Sequence, residues 1–494
     1  MTSRKKVGLI AGAGIGAAAA VALRRRWAGS DEDGSVSATP TPAASPDALG
    51  RAFLAHLAEA VQIPTVSYED ADRVDFDRFA EFRDFLIHTY PLTHERLDRE
   101  LVADHSLLYT WSGTDDSLKP VVLMAHQDVV PVEPGTEGEW EEPPFSGEQT
   151  EHYLYGRGSL DDKGSLVGIF EAVESLLGEG FEPRPTVFIV CGHDEETGGT
   201  GAAAIAALLQ DRGVHCSLVL DEGGAVAVDF FPGVDVPVAL IGIGEKGYVN
   251  VELTGRGLGG HSSAPPGSTA IGIVAAAVKA IEDQPMPARL DAQRGFFSVL
   301  ADLTPGQKSM PMKRPDLFGA LIERRMSAQP MTNALIRTTG AATMVWGGVK
   351  PNVLPQEATA LINFRVMPGD TVGDVLDHVR GVVGSEVEVS VSESSFSADP
   401  PPLADPDSAE FDLVADVVRE HFEVGAVAPW ILTGATDSRH FVSIADQVLR
   451  FVPLVVTADD FKRFHGTGER IRRSDADAVV GFYRSILQRA GGRS

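Results

Sequence analysis

The stretch Val121-Val122-Leu123-Met124-Ala125-His126-Gln127-Asp128 decides the fold. Its apolar run is too short for an ordinary helix and too uniformly apolar for a strand with one wet face. It therefore predicts a strand buried on both sides. Thr186 to Cys191 and Ser217 to Leu220 have the same character. Between the first two, Leu166, Ile169, Phe170, Val173, Leu176 and Leu177 recur at helical spacing, opened by Asp161-Asp162 and closed by Gly178 and Gly180. A further helix is predicted over Ala202 to Leu209. This β-α-β alternation predicts an α/β fold: a largely parallel sheet with helices on both faces.

The pattern changes after Gly247. Alternating Val249 to Leu253, helical Ala270 to Ile281, a strand over Ala358 to Val366, a helix over Val372 to Val383 and alternating Val387, Val389 and Val391 suggest a smaller α+β, ferredoxin-like lid domain. Pro285 to Met331 has no clear period. The α/β rhythm returns after about Ser395, with a strand over Leu449 to Val456 and a closing helix over Ala476 to Leu487. The expected organisation is an anchor or signal segment at 1–30, a flexible linker at 31–49, the first part of a catalytic domain at 50–247, the inserted lid at 248–394, and the second catalytic part at 395–494.

The first thirty residues stand apart. Val7 to Leu23 is uncharged and rich in Gly and Ala, flanked by Arg4-Lys5-Lys6 and Arg24-Arg25-Arg26. As a helix it would reach about 26 Å, just short of a bilayer core. It suits a membrane anchor or an export signal, placing the protein at the cell envelope, with a cytoplasmic location as the alternative. The Gly12-Ala13-Gly14-Ile15-Gly16-Ala17 run has the form of a dinucleotide fingerprint, yet no strand ending in an acid follows it. Ser35 to Pro46, rich in Ser, Thr, Ala and Pro, reads as a tether.

The whole chain of 494 residues carries 42 Lys and Arg against 70 Asp and Glu, a formal charge of −28. Such acidity excludes a general nucleic-acid binder, and 43% apolar residues exclude disorder for most of the chain. Two cysteines, Cys191 and Cys216, cannot build a disulfide framework or a thiolate metal site.

The chemistry-bearing residues fall where an open α/β sheet binds ligands, beyond the carboxyl ends of strands. His126 and Asp128 follow the first strand, His193-Asp194-Glu195-Glu196 the second, and Asp221 the third. Asp161 lies at a helix start, whose dipole favours an ionised carboxylate. His465 follows the last strand in Phe464-His465-Gly466-Thr467. Imidazoles and carboxylates in this mixture suit divalent ions of the zinc class. His-Glu-x-x-His and Gly-x-Ser-x-Gly motifs are absent, which removes two rival hydrolase chemistries.

Taken together, Met124-Ala125-His126-Gln127-Asp128-Val129-Val130-Pro131, Gly156-Arg157-Gly158 with Asp161-Asp162-Lys163-Gly164, and Gly192-His193-Asp194-Glu195-Glu196 resemble the co-catalytic zinc metallopeptidases that include aminoacylase, carboxypeptidase S and succinyl-diaminopimelate desuccinylase. Leu220-Asp221-Glu222-Gly223-Gly224, Gly244-Glu245-Lys246-Gly247, Ala435-Thr436-Asp437-Ser438-Arg439-His440 and Phe464-His465-Gly466-Thr467-Gly468-Glu469-Arg470 resemble the carboxypeptidase S and N-acyl-amino-acid amidohydrolase branch.

The resemblance implies two Zn²⁺ ions, with Co²⁺ or Mn²⁺ as substitutes. Asp161 would bridge them, His126 and Asp221 would hold one, and Glu196 and His465 the other. Glu195 would be the general base and Asp128 would orient His126. In the lid, His261 would stabilise the oxyanion, while Asn352 and Arg365 would bind substrate. The implied reaction is hydrolysis of an amide in a peptide or N-acyl amino acid bearing a free carboxylate. Contact of the N-terminal segment with a membrane, and a homodimer formed through the lid, complete the expectation. The alternative function is a tethered binding protein of the same fold without catalysis; it requires a missing ligand or base, and none is missing.

Overall fold

The computed structural model describes residues 46–231, 233–304, 309–392 and 396–491. The Val7 to Leu23 segment lies outside these residues. Among the described residues no helix is long and apolar enough to cross a membrane. The first described helix, Ala48–Val61, starts inside the expected linker because Asp47 caps it, its carboxylate accepting from the Leu49 and Gly50 amides at 2.8 and 2.9 Å.

The chain divides into two compact units. Of the described residues, one holds those up to Ile243, Ala404–Trp430, and those from Thr436 onward; the other holds those within Gly244–Leu403 and Ile431–Ala435. The first unit is built on a ten-stranded sheet. Its centre runs Val187–Gly192, Val121–His126, Cys216–Asp221, Ala445–Arg450, all parallel, and antiparallel pairs flank it on both sides.

The Val121–His126 strand shows why a wholly apolar run is needed. Val121, Leu123 and Ala125 join the core formed with helices Ala48–Val61, Lys163–Gly178 and Ala476–Arg489, whereas Val122 and Met124 join a second core with helix Thr200–Asp211. Alternate residues thus meet helices on opposite faces, as the pleat requires. Gly168 lets two of these helices approach: a Cβ there would lie 2.7 Å from Val479 Cγ1.

The second unit carries a four-stranded antiparallel sheet in the order Thr339–Gly347, Glu357–Val366, Gly247–Arg256, Val387–Val391. Helices Ala270–Asp283 and Val372–Val383 supply Val274, Ala277, Val375 and Val379 to its core, against Val251, Leu253, Ala360 and Ile362. The unit extends beyond 248–394. Tyr248 and Ala398 exchange backbone hydrogen bonds at 2.9 Å, which holds the segment after 394, and the Lys246 amide donates to Leu432 O at 3.1 Å. The aperiodic stretch contains helices Arg294–Leu303, Met310–Lys313, Pro315–Met326 and Pro330–Ala334.

Candidate metal centre

In the first unit, the carboxyl ends of the parallel strands bring His126, Asp161, Glu196 and His465 together. Asp161 lies between the two imidazoles. Its Oδ1 is 3.0 Å from His126 Nε2 and its Oδ2 is 3.0 Å from His465 Nε2. Glu196 Oε2 lies 3.1 Å from the same nitrogen of His465. Glu222 Oε1 lies 3.6 Å from His126 Nε2.

Each position follows from the local chain. His126 ends its strand, so its ring projects past the sheet edge. Its Nδ1 lies 2.9 Å from the backbone oxygen of Asp128, which can only accept, so Nδ1 carries the proton. The Asp128 carboxylate lies 3.3 Å from the same nitrogen. It also accepts from Ser67 Oγ at 2.7 Å and from the Glu195 and Glu196 amides at 3.1 and 3.2 Å. One buried carboxylate therefore orients a histidine and anchors the turn that carries both glutamates. Gly192 leaves room for Asp437: a Cβ there would collide with Asp437 Oδ2.

These residues fit cations. With its Nδ1 proton committed to Asp128 O, His126 turns Nε2 toward the carboxylates of Asp161 and Glu222, a position that a second proton or a metal ion fills; burial opposes that proton, but the surrounding carboxylates of Asp128, Asp161 and Glu222 raise the imidazole pKa well above its usual value. Glu196 Oε1 is buried with no hydrogen-bond partner among the described residues. Two groups have ligand atoms all within 4.8 Å of one another: His126, Asp161 and Glu196, and His126, Asp162 and Glu222. Burial favours the neutral form of Asp161, but hydrogen bonds from the two histidines override it and hold the carboxyl well below its usual range. Burial, reinforced by the charges of Glu222, Glu196 and Asp437 and opposed by His126, pushes the Glu195 carboxyl well above the ordinary glutamate value.

Asp221 is placed differently from the ligand role that the resemblance implied. It ends the Cys216–Asp221 strand, and its Oδ2 accepts from the Ser438 amide at 2.8 Å. Of the two adjacent acids, the one that reaches His126 is Glu222, which the expected ligand set did not include. The Asp-Glu pair was the available signal, but side chains alternate direction along a strand, and spacing does not say which of two adjacent acids faces the centre. Glu469 was also outside the expected set. Its Oε1 accepts from the amides of Gly158, Leu160 and Asp161 at 2.9, 2.8 and 3.1 Å.

His261, Asn352 and Arg365 lie in the second unit. Gly260–His261 pairs with Val353–Leu354, and the Ser262 amide donates to Asn352 O at 3.2 Å, so His261 and Asn352 are neighbours. His261 Nδ1 accepts from the Ser263 amide at 3.2 Å, leaving the proton of the neutral ring on Nε2. Arg365 is half-buried, its guanidinium 4.8 Å from the Tyr248 ring centre. Lys246, fully buried in this unit, donates to Arg337 O at 2.8 Å, and burial together with the Arg365 charge brings its amine down to about 7.

An α/β unit with imidazoles and carboxylates gathered at the ends of its parallel strands is the architecture of a metallopeptidase. The sequence pattern of Peptidase family M20/M25/M40 matches residues 122–489, and the chain belongs to that family. It is 40% identical over 440 residues to the N-fatty-acyl-amino acid synthase/hydrolase PM20D1 of Homo sapiens, covering 88% of this chain and 87% of the relative. It is 33% identical over 475 residues to carboxypeptidase S of Saccharomyces cerevisiae, covering 86% and 81%. An M20 family metallo-carboxypeptidase from Sulfolobus solfataricus shares the fold with a TM-score of 0.62 at 17% identity, over 88% of this chain and 98% of that one. The protein is a hydrolase of the metallopeptidase and amidohydrolase class.

Proposed function

We infer that the protein hydrolyses the amide of N-acyl amino acids with a free carboxylate, using two divalent ions of the zinc class and Glu195 as general base. The observation that carries this reading is Asp161, which presents one oxygen to His126 and the other to His465. A carboxylate so placed suits a bridge between two cations, with Glu222 beside His126 and Glu196 beside His465 as outer ligands.

Such ions, when bound, lower the pKa of water and polarise the scissile carbonyl. The residues of the chain supply the rest. Glu195 accepts a proton from the attacking water as the new C–O bond forms, then delivers it to the amine nitrogen as the C–N bond breaks. A carboxylate beside the attacking water can make both transfers. His261, with its proton on Nε2, is the oxyanion donor. Arg365 pairs with the substrate carboxylate, and Asn352 is a further substrate contact.

The N-terminal basic-apolar-basic pattern supports placement at the cell envelope, tested by fractionating cells that express the full chain. The edge strand Thr339–Gly347 supports a homodimer through the second unit. Val345 and Trp346 are exposed on it, and sedimentation of Trp346→Glu against wild type tests the pairing.

The decisive experiment for the activity is Glu195→Gln. Metal content should stay at two ions per chain while turnover of an N-acyl amino acid is lost. Near-normal turnover would remove Glu195 from the mechanism.

A further inference from the structure

Five aromatic residues form a connected surface on the first unit, running from the residue next to His465. The Phe464 and Phe461 rings are 5.7 Å apart, Phe461 and Phe230 5.8 Å, Phe230 and Phe231 5.2 Å, and Phe231 and Trp430 6.4 Å. None of the five is fully buried, and Phe461 is 39% exposed. A core cluster would hide its rings, whereas these keep part of their apolar area at the surface.

Strand direction explains the location. Val226–Val228 pairs in parallel with Val455–Thr457, so the segments that follow them, bearing Phe230 and Phe231 on one and Phe461 and Phe464 on the other, leave the sheet at the same end. Val226–Val228 is antiparallel to Val238–Glu245, which is antiparallel to Ala445–Arg450, which is parallel to Cys216–Asp221. Two reversals restore the original direction. The aromatic loops therefore emerge at the sheet end that carries the metal-centre residues.

We propose that Phe464, Phe461, Phe230, Phe231 and Trp430 form the subsite for the aliphatic acyl chain of the substrate. This deepens the N-acyl amino acid reading and rests on it. Arg365 and Asn352 are assigned there to the amino-acid half, so the acyl half is the part left for a surface that starts beside His465. Aromatic rings cover an alkyl chain well because they are wide, apolar and lose little side-chain freedom. Human PM20D1, by its name, acts on fatty-acyl amino acids.

The test uses the zinc-loaded full chain with N-acetyl-, N-octanoyl- and N-dodecanoyl-phenylalanine, kept below micellar concentrations. In wild type kcat/KM should rise with chain length, by up to about fourfold for each methylene covered. Phe230→Ser and Phe461→Ser should each lower the dodecanoyl-to-acetyl ratio of kcat/KM at least tenfold. A flat wild-type series, or an equal loss on both substrates, would overturn the subsite. Binding of dodecanoate, measured by calorimetry, gives a readout without turnover: wild type should bind it, and both variants at least tenfold more weakly. Dodecanoate affinity that is unchanged in the two variants would also overturn the proposal. Absence of hydrolysis for all three substrates, with dodecanoate still binding as expected, would instead strike the reaction assigned above.

Discussion

Arg157 and Glu469, 312 positions apart in sequence, meet inside the first unit with Arg157 Nη1 2.6 Å from Glu469 Oε2. While Glu469 Oε1 gathers the amides of the loop that carries Asp161, Arg157 Nη2 donates to His465 O at 3.2 Å and Gly466 O at 3.0 Å. His465 has a φ of +56°, a left-handed conformation that a non-glycine residue holds only when its surroundings impose it. One ion pair thus fixes the loops on both sides of the metal centre. Glu469→Gln puts an amide where Arg157 requires a charged acceptor, and Arg157→Met removes the donors. Each should weaken metal binding by about 10–100-fold, as loss of a group that orients ligands does. Competition with a chelator measures this, and wild-type affinity in both variants would assign the pair to stability alone.

Glu222→Gln should lower metal stoichiometry, whereas Asp221→Asn should bind close to the wild-type amount. The side-chain amide introduced by Asp221→Asn keeps an oxygen for the Ser438 N–H, from which Asp221 now accepts at 2.8 Å. Metal analysis of the purified variants decides the matter. The reverse order would return Asp221 to the ligand set.

Arg365→Ala should penalise substrates with a free carboxylate by about 2–5 kcal/mol in transition-state binding, the cost of losing one partner of a charge-assisted pair. The corresponding carboxamides should be poor substrates for both forms. An equal loss on acid and amide would reduce Arg365 to a structural role. His261→Ala should lower turnover by about 10²–10³-fold at unchanged metal content.

His440 should make the protein acid-sensitive. Burial, with the Arg439 charge adding to it and Asp194 opposing, brings its pKa down from 6.5 to about 4. Between these values the unfolded chain binds a proton that the folded one refuses. The stability contribution is therefore complete above pH 6.5 and is lost as pH falls toward 4. Thermal unfolding of His440→Gln should show a shallower decline over that window than wild type. Parallel pH profiles would contradict the assignment.

Deletion of residues 1–45 should leave a soluble, folded and active enzyme, because Asp47 supplies the cap of the first described helix. Circular dichroism and turnover of the truncated chain check this. Loss of folding would mean that the segment packs into the body.

The sequence alone determined the α/β class and the end of the sheet at which chemistry gathers. A strand such as Val121–His126 that is apolar on both faces has to be covered on both, and its first polar residue has to leave the sheet at its edge. The same logic made His126, Asp161, Glu196 and His465 candidates, since each follows a buried run or opens a helix. Only the tertiary structure decided what depends on direction and long-range contact. Whether Asp221 or Glu222 turns toward His126 is a matter of one pleat. Thr339–Gly347 carries Gly, Ala and Thr on an exposed edge, so it has no buried face to mark it as a strand; pairing with Glu357–Val366 alone defines it. The Arg157–Glu469 pair joins residues whose local sequence says nothing of each other. The aromatic surface beside His465 likewise exists only because parallel pairing of Val226–Val228 with Val455–Thr457 brings two distant loops to one end of the sheet. Burial periodicity is a local property that a chain carries in its own spacing, whereas partners across hundreds of residues are chosen only once the sheet has closed the distance between them.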